Sequence, residues 1–195
     1  MKSFIPISNN NFTFDSCSNC NANCCDGRKG TIYSQVLKEE FEKTYKNFPI
    51  LFIFGELGFC KPVILLTNGK EFCFYQQNHM CSIYEDRPTV CRTYPLSPNL
   101  DNQIYIDITC PEVNKGNSFL IKNENIIMDS YKNSIFDNYQ DKYIETHFEF
   151  ETLDKKDFEL AITINDVIFY KYIGDNDSLY INLHKKSLDN LQKYF

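Results

Sequence analysis

The pattern of apolar and polar residues predicts one helix in the first quarter of the chain. Apolar side chains recur at three- and four-residue spacing at Val36, Leu37, Phe41 and Tyr45. This spacing places them on one face of a helix, and Ser34 is of a residue type that caps helix starts. We therefore expect a helix from Ser34 to Asn47, with the acidic segment Glu39–Glu42 on its solvated face.

Alternation and turn residues predict strands in the middle of the chain. An Asn68-Gly69 pair separates Pro62–Thr67 from Lys70–Tyr75, and Asn-Gly favours the turn that matches the twist of paired strands. These segments are predicted to form a β-hairpin. Between Gln103 and Thr109, isoleucine occupies every second position, which indicates a third strand with one apolar face.

The second half of the chain shows mainly helical periodicity. We expect one helix over Asn125–Tyr143 and another over Asp154–Tyr172, which ends before Gly174. Ser178–His184 is predicted as a short strand and Ser187–Tyr194 as a last helical segment. The predicted fold class is α+β: an irregular cysteine-rich metal-binding front with a small antiparallel β-hairpin or sheet, packed on helices of the C-terminal half.

The composition allows this chain to fold without covalent crosslinks. Its 195 residues are 43% hydrophobic and include 17 Phe and 13 Tyr, which suffices for a core of ordinary size. All nine cysteines fall between Cys17 and Cys110. We expect a cysteine-cluster metal-binding domain over residues 1–118 and a mainly helical, aromatic-rich extension over residues 119–195, packed on it as one unit.

Charge and hydropathy argue against several function classes. The net charge of −6 disfavours nucleic acid and anionic membrane surfaces as partners, because clustered Lys and Arg drive both kinds of binding. No segment approaches the roughly 20 apolar residues of a membrane helix, and the start of the chain lacks the apolar core of a secretory signal. We therefore expect a cytoplasmic protein, in which cysteines bind metal or do redox chemistry more often than they form disulfides.

The first cysteine group is Cys17-x2-Cys20-x3-Cys24-Cys25. Two thiolates separated by two residues can converge on one ion in a tight loop. The residues between and after them are small or turn-forming, mostly Asn, Ser, Asp and Gly, so the backbone can wrap a metal. Such flanks differ from the apolar surroundings of a buried structural cysteine. The group therefore predicts metal ligands.

A second cysteine group lies further along the chain, at Cys73, Cys81, Cys91 and Cys110. Cys73 alternates with Phe72 and Phe74 and can face opposite to them, and Pro88 can start the helical turn that carries Cys91. Each of these cysteines, taken alone, is equally compatible with a core thiol. Together with the first group they predict further thiolate ligands.

The order of these motifs resembles one known family. The matching features are the first cysteine group, Cys73-Phe74, Cys81-Ser82-Ile83-Tyr84, Arg87-Pro88, Cys91-Arg92-Thr93-Tyr94-Pro95 and Cys110-Pro111. Over roughly residues 12–118, they are similar to the CxxCxxxCC cysteine-cluster family, whose members are described as zinc- or iron-chelating. The resemblance implies metal chelation by Cys17, Cys20, Cys24, Cys25, Cys73, Cys81, Cys91 and Cys110. It implies little about activity, although relatives with a similar cluster include a flagellin lysine methylase.

The number of motif cysteines leaves the kind of centre open. Eight cysteines exceed the four that one tetrahedral ion or one 4Fe–4S cluster uses. Either two four-thiolate sites are present, or one cluster is present and the remaining thiols are structural or redox-active. The wide separation of the two groups and the adjacent pair Cys24-Cys25 favour an iron–sulfur cluster over zinc. A radical S-adenosylmethionine enzyme is excluded, because its C-x3-C-x2-C order is reversed here.

Other residues near these motifs are weaker candidates. Cys60 lies outside the motif pattern and is predicted to be a core or surface thiol. His79 can join a mixed site but is more typical of a solvated turn. Arg87 and Arg92 can stabilise the negative charge of thiolates, or Arg87 can pair with a carboxylate such as Glu40 and only fix the loop.

The leading hypothesis is a protein that binds an iron–sulfur cluster (4Fe–4S) or zinc through cysteine thiolates. One alternative is a zinc-stabilised interaction module that binds another protein, and a second is a redox or methyl-transfer enzyme component. The sequence contains no nucleophile motif, dinucleotide-binding loop or phosphate-binding loop. Any chemistry is therefore expected to come from the metal centre or from a partner.

Overall fold

The computed structural model describes residues 2–17, 20–55 and 58–195. Its strands are β1 (Phe4–Pro6), β2 (Phe12–Thr13), β3 (Tyr33–Gln35), β4 (Ile50–Phe54), β5 (Cys60–Leu65), β6 (Gln76–Gln77), β7 (Met80–Cys81), β8 (Leu96–Pro98), β9 (Ile104–Asp107), β10 (Phe119–Lys122), β11 (Asn125–Ile126), β12 (Phe158–Ile164) and β13 (Val167–Tyr172). Its α-helices are α1 (Phe41–Thr44), α2 (Thr89–Thr93), α3 (Tyr139–Phe150) and α4 (Leu179–Ser187). Segments of 3-10 helix occupy Asn23–Cys25, Gly27–Lys29, Lys38–Glu40, Asp129–Tyr131, Ser134–Phe136, Lys155–Asp157 and Leu188–Tyr194. Helices and antiparallel sheets together confirm the predicted α+β class.

A five-stranded antiparallel sheet in the order β12-β13-β4-β5-β3 is the largest sheet. Its strand β4 has the sequence Ile-Leu-Phe-Ile-Phe, and such a continuous apolar run suits a strand that is covered on both faces. The register pairs Ile50 with Ile64 and Leu51 with Val63. Because successive side chains of a strand point to opposite faces, these pairs enter separate apolar layers.

The aromatic layer on one face of this sheet supports part of the cysteine region. The Phe41 and Phe150 rings stack with centroids 5.6 Å apart, and Phe150 meets Phe52 edge-on at 5.5 Å. Three cysteines of the second group pack against the same layer: Cys73, Cys81 and Cys91. These thiols therefore rest on the most aromatic part of the fold.

A second apolar core draws on two three-stranded sheets, β1-β9-β8 and β11-β10-β2. Ile106, Leu120 and Ile121 are fully buried in it, and Cys110 is 5% exposed. Strand β9 confirms the strand predicted within residues 103–109. The cysteines are thus divided between the edges of two cores.

The hairpin predicted over residues 62–75 is wrong. Strand β5 pairs with β4 on one side and with β3 on the other, so neither of its edges is open to residues 70–75. The Asn68 side chain accepts hydrogen bonds from the backbone N–H groups of Lys70 and Glu71, and this local bonding turns the chain away. The helix predicted over residues 34–47 is right only for residues 38–44, because Ser34 lies in β3 instead of capping a helix.

Two elements predicted in the second half have the opposite structure. Residues 154–172, predicted as a helix, contain the hairpin β12–β13, which turns at Asn165-Asp166, where both φ angles are positive. Residues 178–184, predicted as a strand, begin α4, and the Ser178 side chain caps it by accepting the Ile181 N–H. Both structures follow from local signals that the periodicity missed, the Asn165-Asp166 turn and the Ser178 cap.

The remainder of the extension is more broken than its periodicity predicts. Residues 125–143, predicted as one helix, contain β11, two 3-10 turns and only the start of α3. The last helical segment is confirmed as the 3-10 helix Leu188–Tyr194. Residues 119–195 thus supply strands as well as helices, and the division near residue 118 stays a prediction. In the described residues, even the longest helix, the 12-residue α3, falls short of the length and apolar character needed to span a bilayer.

A buried histidine joins β4 and β13 where their pairing ends. The register that pairs Phe52 with Tyr170 would set Ile50 opposite Tyr172. The His184 imidazole lies between them: Nδ1 donates to the Ile50 carbonyl oxygen at 2.6 Å, and Nε2 accepts the Tyr172 N–H at 3.0 Å. Burial lowers the pKa of His184 to about 4, so the ring is neutral at pH 7.

Candidate metal centre

The first cysteine group lies in a loop that its own polar residues shape. Ala22 adopts a left-handed conformation with φ of 53°, and the 3-10 helix Asn23–Cys25 follows it. Asp26 accepts the backbone N–H of Arg28 at 3.1 Å and two N–H groups of its guanidinium at 2.8 and 2.9 Å. These hydrogen bonds from Arg28 lower the pKa of the buried Asp26 carboxyl. The loop backbone is therefore ordered by local bonds around the cysteines.

This loop docks directly on the segment that carries Cys73. The Cys73 N–H donates to the Cys25 carbonyl oxygen at 2.8 Å, and the Gly27 N–H donates to the Glu71 carbonyl oxygen at 3.0 Å. The residues between them form an antiparallel bridge. A Cβ atom on Gly27 would lie 2.7 Å from the Glu71 carbonyl oxygen, so this close approach requires glycine. Backbone contacts thus bring the two cysteine groups together.

Two tight elements present the next cysteines. Cys81 ends the two-stranded hairpin β6–β7, in which the turn residues Asn78 and His79 have positive φ. Cys91 lies in α2, which begins directly after Pro88 and confirms the predicted helical turn. Each cysteine therefore has a position that a short and well-defined turn determines.

Glu40 ties α2 to the aromatic layer. Its carboxylate accepts the Leu37 N–H at 3.2 Å, and nearby Thr89, the first residue of α2, acts to lower the pKa of its carboxyl. The Glu40 residue is only 9% exposed, so its predicted place on a solvated face is wrong. Burial raises the pKa of its carboxyl. Because Thr89 and Cys91 share one helical turn, Glu40 fixes the backbone that carries Cys91.

Four thiols from both sequence groups form what we call the inner group: Cys24, Cys73, Cys81 and Cys91. Burial raises the pKa of Cys91, and the charges of the other three thiolates raise it further because they are near. Burial, together with Cys81 and Cys24, raises the pKa of Cys73 to about 11. The Cys73 and Cys91 thiols are therefore protonated at neutral pH without metal, and a metal must displace their protons to bind.

Three further thiols form the outer group: Cys17, Cys20 and Cys110. Burial, and then the charge of Cys20, raise the pKa of Cys110 to about 11. Burial and the charges of Cys24 and Cys20 raise the pKa of Cys17, although Cys17 is an exposed residue. The outer group therefore links the first loop to the turn after β9 and borders the inner group at Cys24. Cys25 has its sulfur 3.8 Å from that of Cys24.

The thiols converge without forming a coordination shell. Within the described ranges, no three Cys, His, Asp or Glu side chains are placed to hold one metal ion. The donor chemistry nevertheless fits zinc or iron, because both metals take thiolates in sets of four. The structure thus gathers suitable donors in one region, and the eight individual ligand assignments stay predictions.

Arg87 faces the thiols and not a carboxylate. Its guanidinium lies 3.6 Å from the centroid of the Tyr84 ring, and its Nε donates to the Tyr84 carbonyl oxygen at 2.9 Å. Its positive charge opposes the rise that burial causes in the pKa of Cys17 and Cys91. No ion pair between described residues joins Arg87 to a carboxylate. Of the two interpretations, compensation of thiolate charge is therefore favoured.

The other candidates differ in their surroundings. The Arg92 Nε atom is buried and has no hydrogen-bond partner in the described structure. His79 is exposed in the β6–β7 turn. Cys60 lies opposite Phe54 in the central sheet and is 5% exposed, and burial raises its pKa to about 12. No other thiol contributes to that shift, which agrees with a core role for Cys60.

Two side chains near the thiols were missed in the sequence. The Tyr131 hydroxyl lies 3.9 Å from the Cys17 Sγ across 114 residues of chain. Lys2 lies 4.8 Å over the Tyr94 ring, and both line a cavity of about 130 Å³ beside the first loop. Neither Tyr131 nor Lys2 belongs to a motif, and contacts across such separations leave no local signal.

Comparison with known proteins places this arrangement in a family. Residues 16–115 match the model of the CxxCxxCC family, described as "Putative zinc- or iron-chelating domain". This chain belongs to that family. The family name gives two residues between the second and third cysteines, whereas this chain has three, Asn21–Asn23. All eight motif cysteines lie within the match, and Lys2 and Tyr131 lie outside it. No curated protein and no solved structure matches the chain.

Proposed function

We propose that the inner group binds the metal centre of this protein, as a 4Fe–4S cluster in preference to zinc. The observation that carries this proposal is that the loop holding Cys24 is hydrogen-bonded to the Cys73 backbone, while Cys73, Cys81 and the half-buried Cys91 pack against one apolar core. The family supports zinc or iron chelation in general. Four ligands from four separate turns favour a polynuclear centre over the compact two-loop arrangement typical of structural zinc.

The surroundings of the inner group support a charged centre. Four thiolates around a metal carry net negative charge, and Arg87 is the cation whose field reaches Cys91. The Cys73 backbone is held by the first loop, and the Cys91 helix is held by Glu40. Such outer contacts orient metal ligands and tune the metal.

A second centre at the outer group is the alternative that a specific observation favours. Cys20 and Cys110 are 90 positions apart in sequence, yet the charge of Cys20 helps to raise the pKa of Cys110. Cys25 can supply a fourth thiolate from the adjacent turn. This arrangement would use all eight motif cysteines.

Anaerobic purification with metal, sulfide and absorption analysis tests the proposal. We expect about four irons and matching labile sulfide per chain, with the visible absorption of a 4Fe–4S cluster. Cys91→Ser should lose this centre, and the matched control Cys60→Ser should retain it. Colourless protein with tightly bound zinc would reject the cluster but keep chelation, and folded, metal-free protein would reject both. Cys110→Ser distinguishes one centre from two, because only with two centres does it remove about half of the metal.

Three wider predictions are compatible with this proposal but do not follow from it. A protein partner, a cytoplasmic location and a role as a redox or methyl-transfer component stay predictions. The metal content determines which of them is worth testing first, since a redox role requires iron and an interaction module requires only zinc.

A further inference from the structure

The C-terminal extension reaches the thiols through Tyr131. This residue lies beyond the family match of residues 16–115, yet its hydroxyl is 3.9 Å from the Cys17 Sγ. It ends the 3-10 helix Asp129–Tyr131, which follows β11. A part of the chain outside the chelating domain therefore borders the outer group.

Packing holds the Tyr131 side chain in place. Its ring meets Phe14 edge-on, with centroids 5.3 Å apart, and packs against the second apolar core. The Tyr131 N–H donates to the Met128 carbonyl oxygen at 3.0 Å, and a Lys132–Asp129 ion pair of 2.7 Å closes the same turn. The hydroxyl is thus presented to the first loop by an ordered element.

The chemistry of the Tyr131 hydroxyl and the Cys17 thiolate allows only one direction for a hydrogen bond between them. A metal-bound thiolate only accepts hydrogen bonds, and a neutral phenol donates one. Cys110 and Tyr131 both pack in the second apolar core, so the hydroxyl and the outer thiols lie on the same side of the fold.

We propose that Tyr131 is a positioning residue of the outer group, whose hydroxyl donates a hydrogen bond to the metal-bound Cys17 thiolate and holds it beside Cys110. This inference rests on the two-centre alternative of the proposed function, in which the outer group binds metal as well as the inner group. It gives the extension a role in the metal site. Loss of a partner that hydrogen-bonds a metal ligand lowers metal affinity by about 10- to 100-fold.

Tyr131→Phe tests the role of the hydroxyl while keeping the ring that packs on Phe14. The full chain is titrated anaerobically with Co(II), with affinities measured by chelator competition and the thiolate-to-cobalt charge-transfer band as a spectroscopic signature. We expect about tenfold weaker binding in the Cys17-dependent step and a shifted band. The matched control Tyr105→Phe removes a hydroxyl that bonds Asp101 at 3.0 Å and should behave like the wild type.

A double variant with Cys17→Ser separates positioning from a merely structural role. If the hydroxyl acts through Cys17, adding Tyr131→Phe to Cys17→Ser causes no further loss of affinity. The proposal would be overturned if Tyr131→Phe lowered metal affinity as much in the Cys17→Ser protein as in the wild type. Identical cobalt spectra for Tyr131→Phe and the wild type would also overturn it. If Cys17→Ser retains all the bound metal, the outer group binds none. This result would reject the role of Tyr131 but leave the proposed metal binding by the inner group intact. A wild-type protein that contains neither iron nor zinc after anaerobic purification would instead refute the proposed function.

Discussion

The central sheet and the thiol-bearing loops are held together by different interactions. In the sheet, Phe52 and Phe169 are fully buried, and Phe150 of α3, packed on it, is 1% exposed. Burying such a side chain stabilises the fold by roughly 1.5–3 kcal/mol. Around the thiols, the connections are backbone hydrogen bonds and polar side chains such as Asp26. We therefore expect the sheet to stay folded without metal and the loops to depend partly on metal binding by the thiols.

Removal of metal should produce the largest difference between the thiol-bearing loops and the central sheet. Metal at about 1,000 times its Kd stabilises what it binds by about 4.1 kcal/mol, so a chelator should speed exchange of loop amides about 1,000-fold. The Cys73 N–H, bonded to Cys25, reports on the loop, and the Leu65 N–H, bonded to Pro49, reports on the sheet. Hydrogen exchange measures both amides. Equal losses at both would contradict the independence of the sheet.

Acid should weaken the sheet through His184. Its pKa is about 4 in the folded protein against an ordinary value of 6.5, so the unfolded chain binds the proton more readily. This stability is complete above pH 6.5 and is lost as pH falls toward 4, by about 3 kcal/mol at 1.36 kcal/mol per unit. Urea unfolding at several pH values measures the slope. His184→Gln should flatten it over this range, and an unchanged slope would show that other groups are responsible.

Gly27→Ala should damage the loop and spare the sheet. The added Cβ would lie 2.5 Å from the Thr67 Oγ1 and 2.7 Å from the Glu71 carbonyl oxygen, and such overpacking costs about 1–3 kcal/mol. Gly55→Ala is the matched control, because its nearest neighbour is the flexible Lys61 side chain at 3.4 Å. Denaturation and metal affinity are measured for both variants. If they behave alike, the docking of the loop on Glu71 is not a tight contact.

Glu40→Gln should give the smallest effect, at the junction of the two regions. It keeps the side-chain volume but alters the interaction with nearby Thr89 and the hydrogen bond from Leu37, which is worth about 1 kcal/mol. We expect this loss in unfolding free energy and weaker metal binding by the inner group. Glu39→Gln, on the exposed side of the same turn, serves as the control. A change in stability without any change in metal affinity would show that Glu40 does not position Cys91.

The cysteine motifs could be predicted from the sequence because their information is local. The spacing of Cys17 to Cys25, the Pro88 start of α2 and the family resemblance all depend on neighbouring residues. The α+β class followed from the mixture of periods along the chain. Local patterns are reliable where no distant partner competes with them.

The errors lie where a missed local turn or a distant partner decides the structure. Residues 158–172 form a local hairpin that turns at Asn165-Asp166, and β13 also pairs with β4, more than 100 positions earlier. Glu40 is buried near Thr89, and Tyr131 reaches Cys17 through the packing of its ring on Phe14. Spacing and residue type carry no record of such contacts.

The support of Cys73, Cys81 and Cys91 by the aromatic layer has a consequence for biosynthesis. That layer also needs Phe150, Tyr172 and Ile181, which lie late in the chain. Chains emerge from the ribosome N-terminus first, so Cys24 is exposed long before the aromatic layer that supports Cys73, Cys81 and Cys91 is complete. The inner group therefore reaches its final form only after nearly the whole chain has been released, so we expect metal to be loaded after translation.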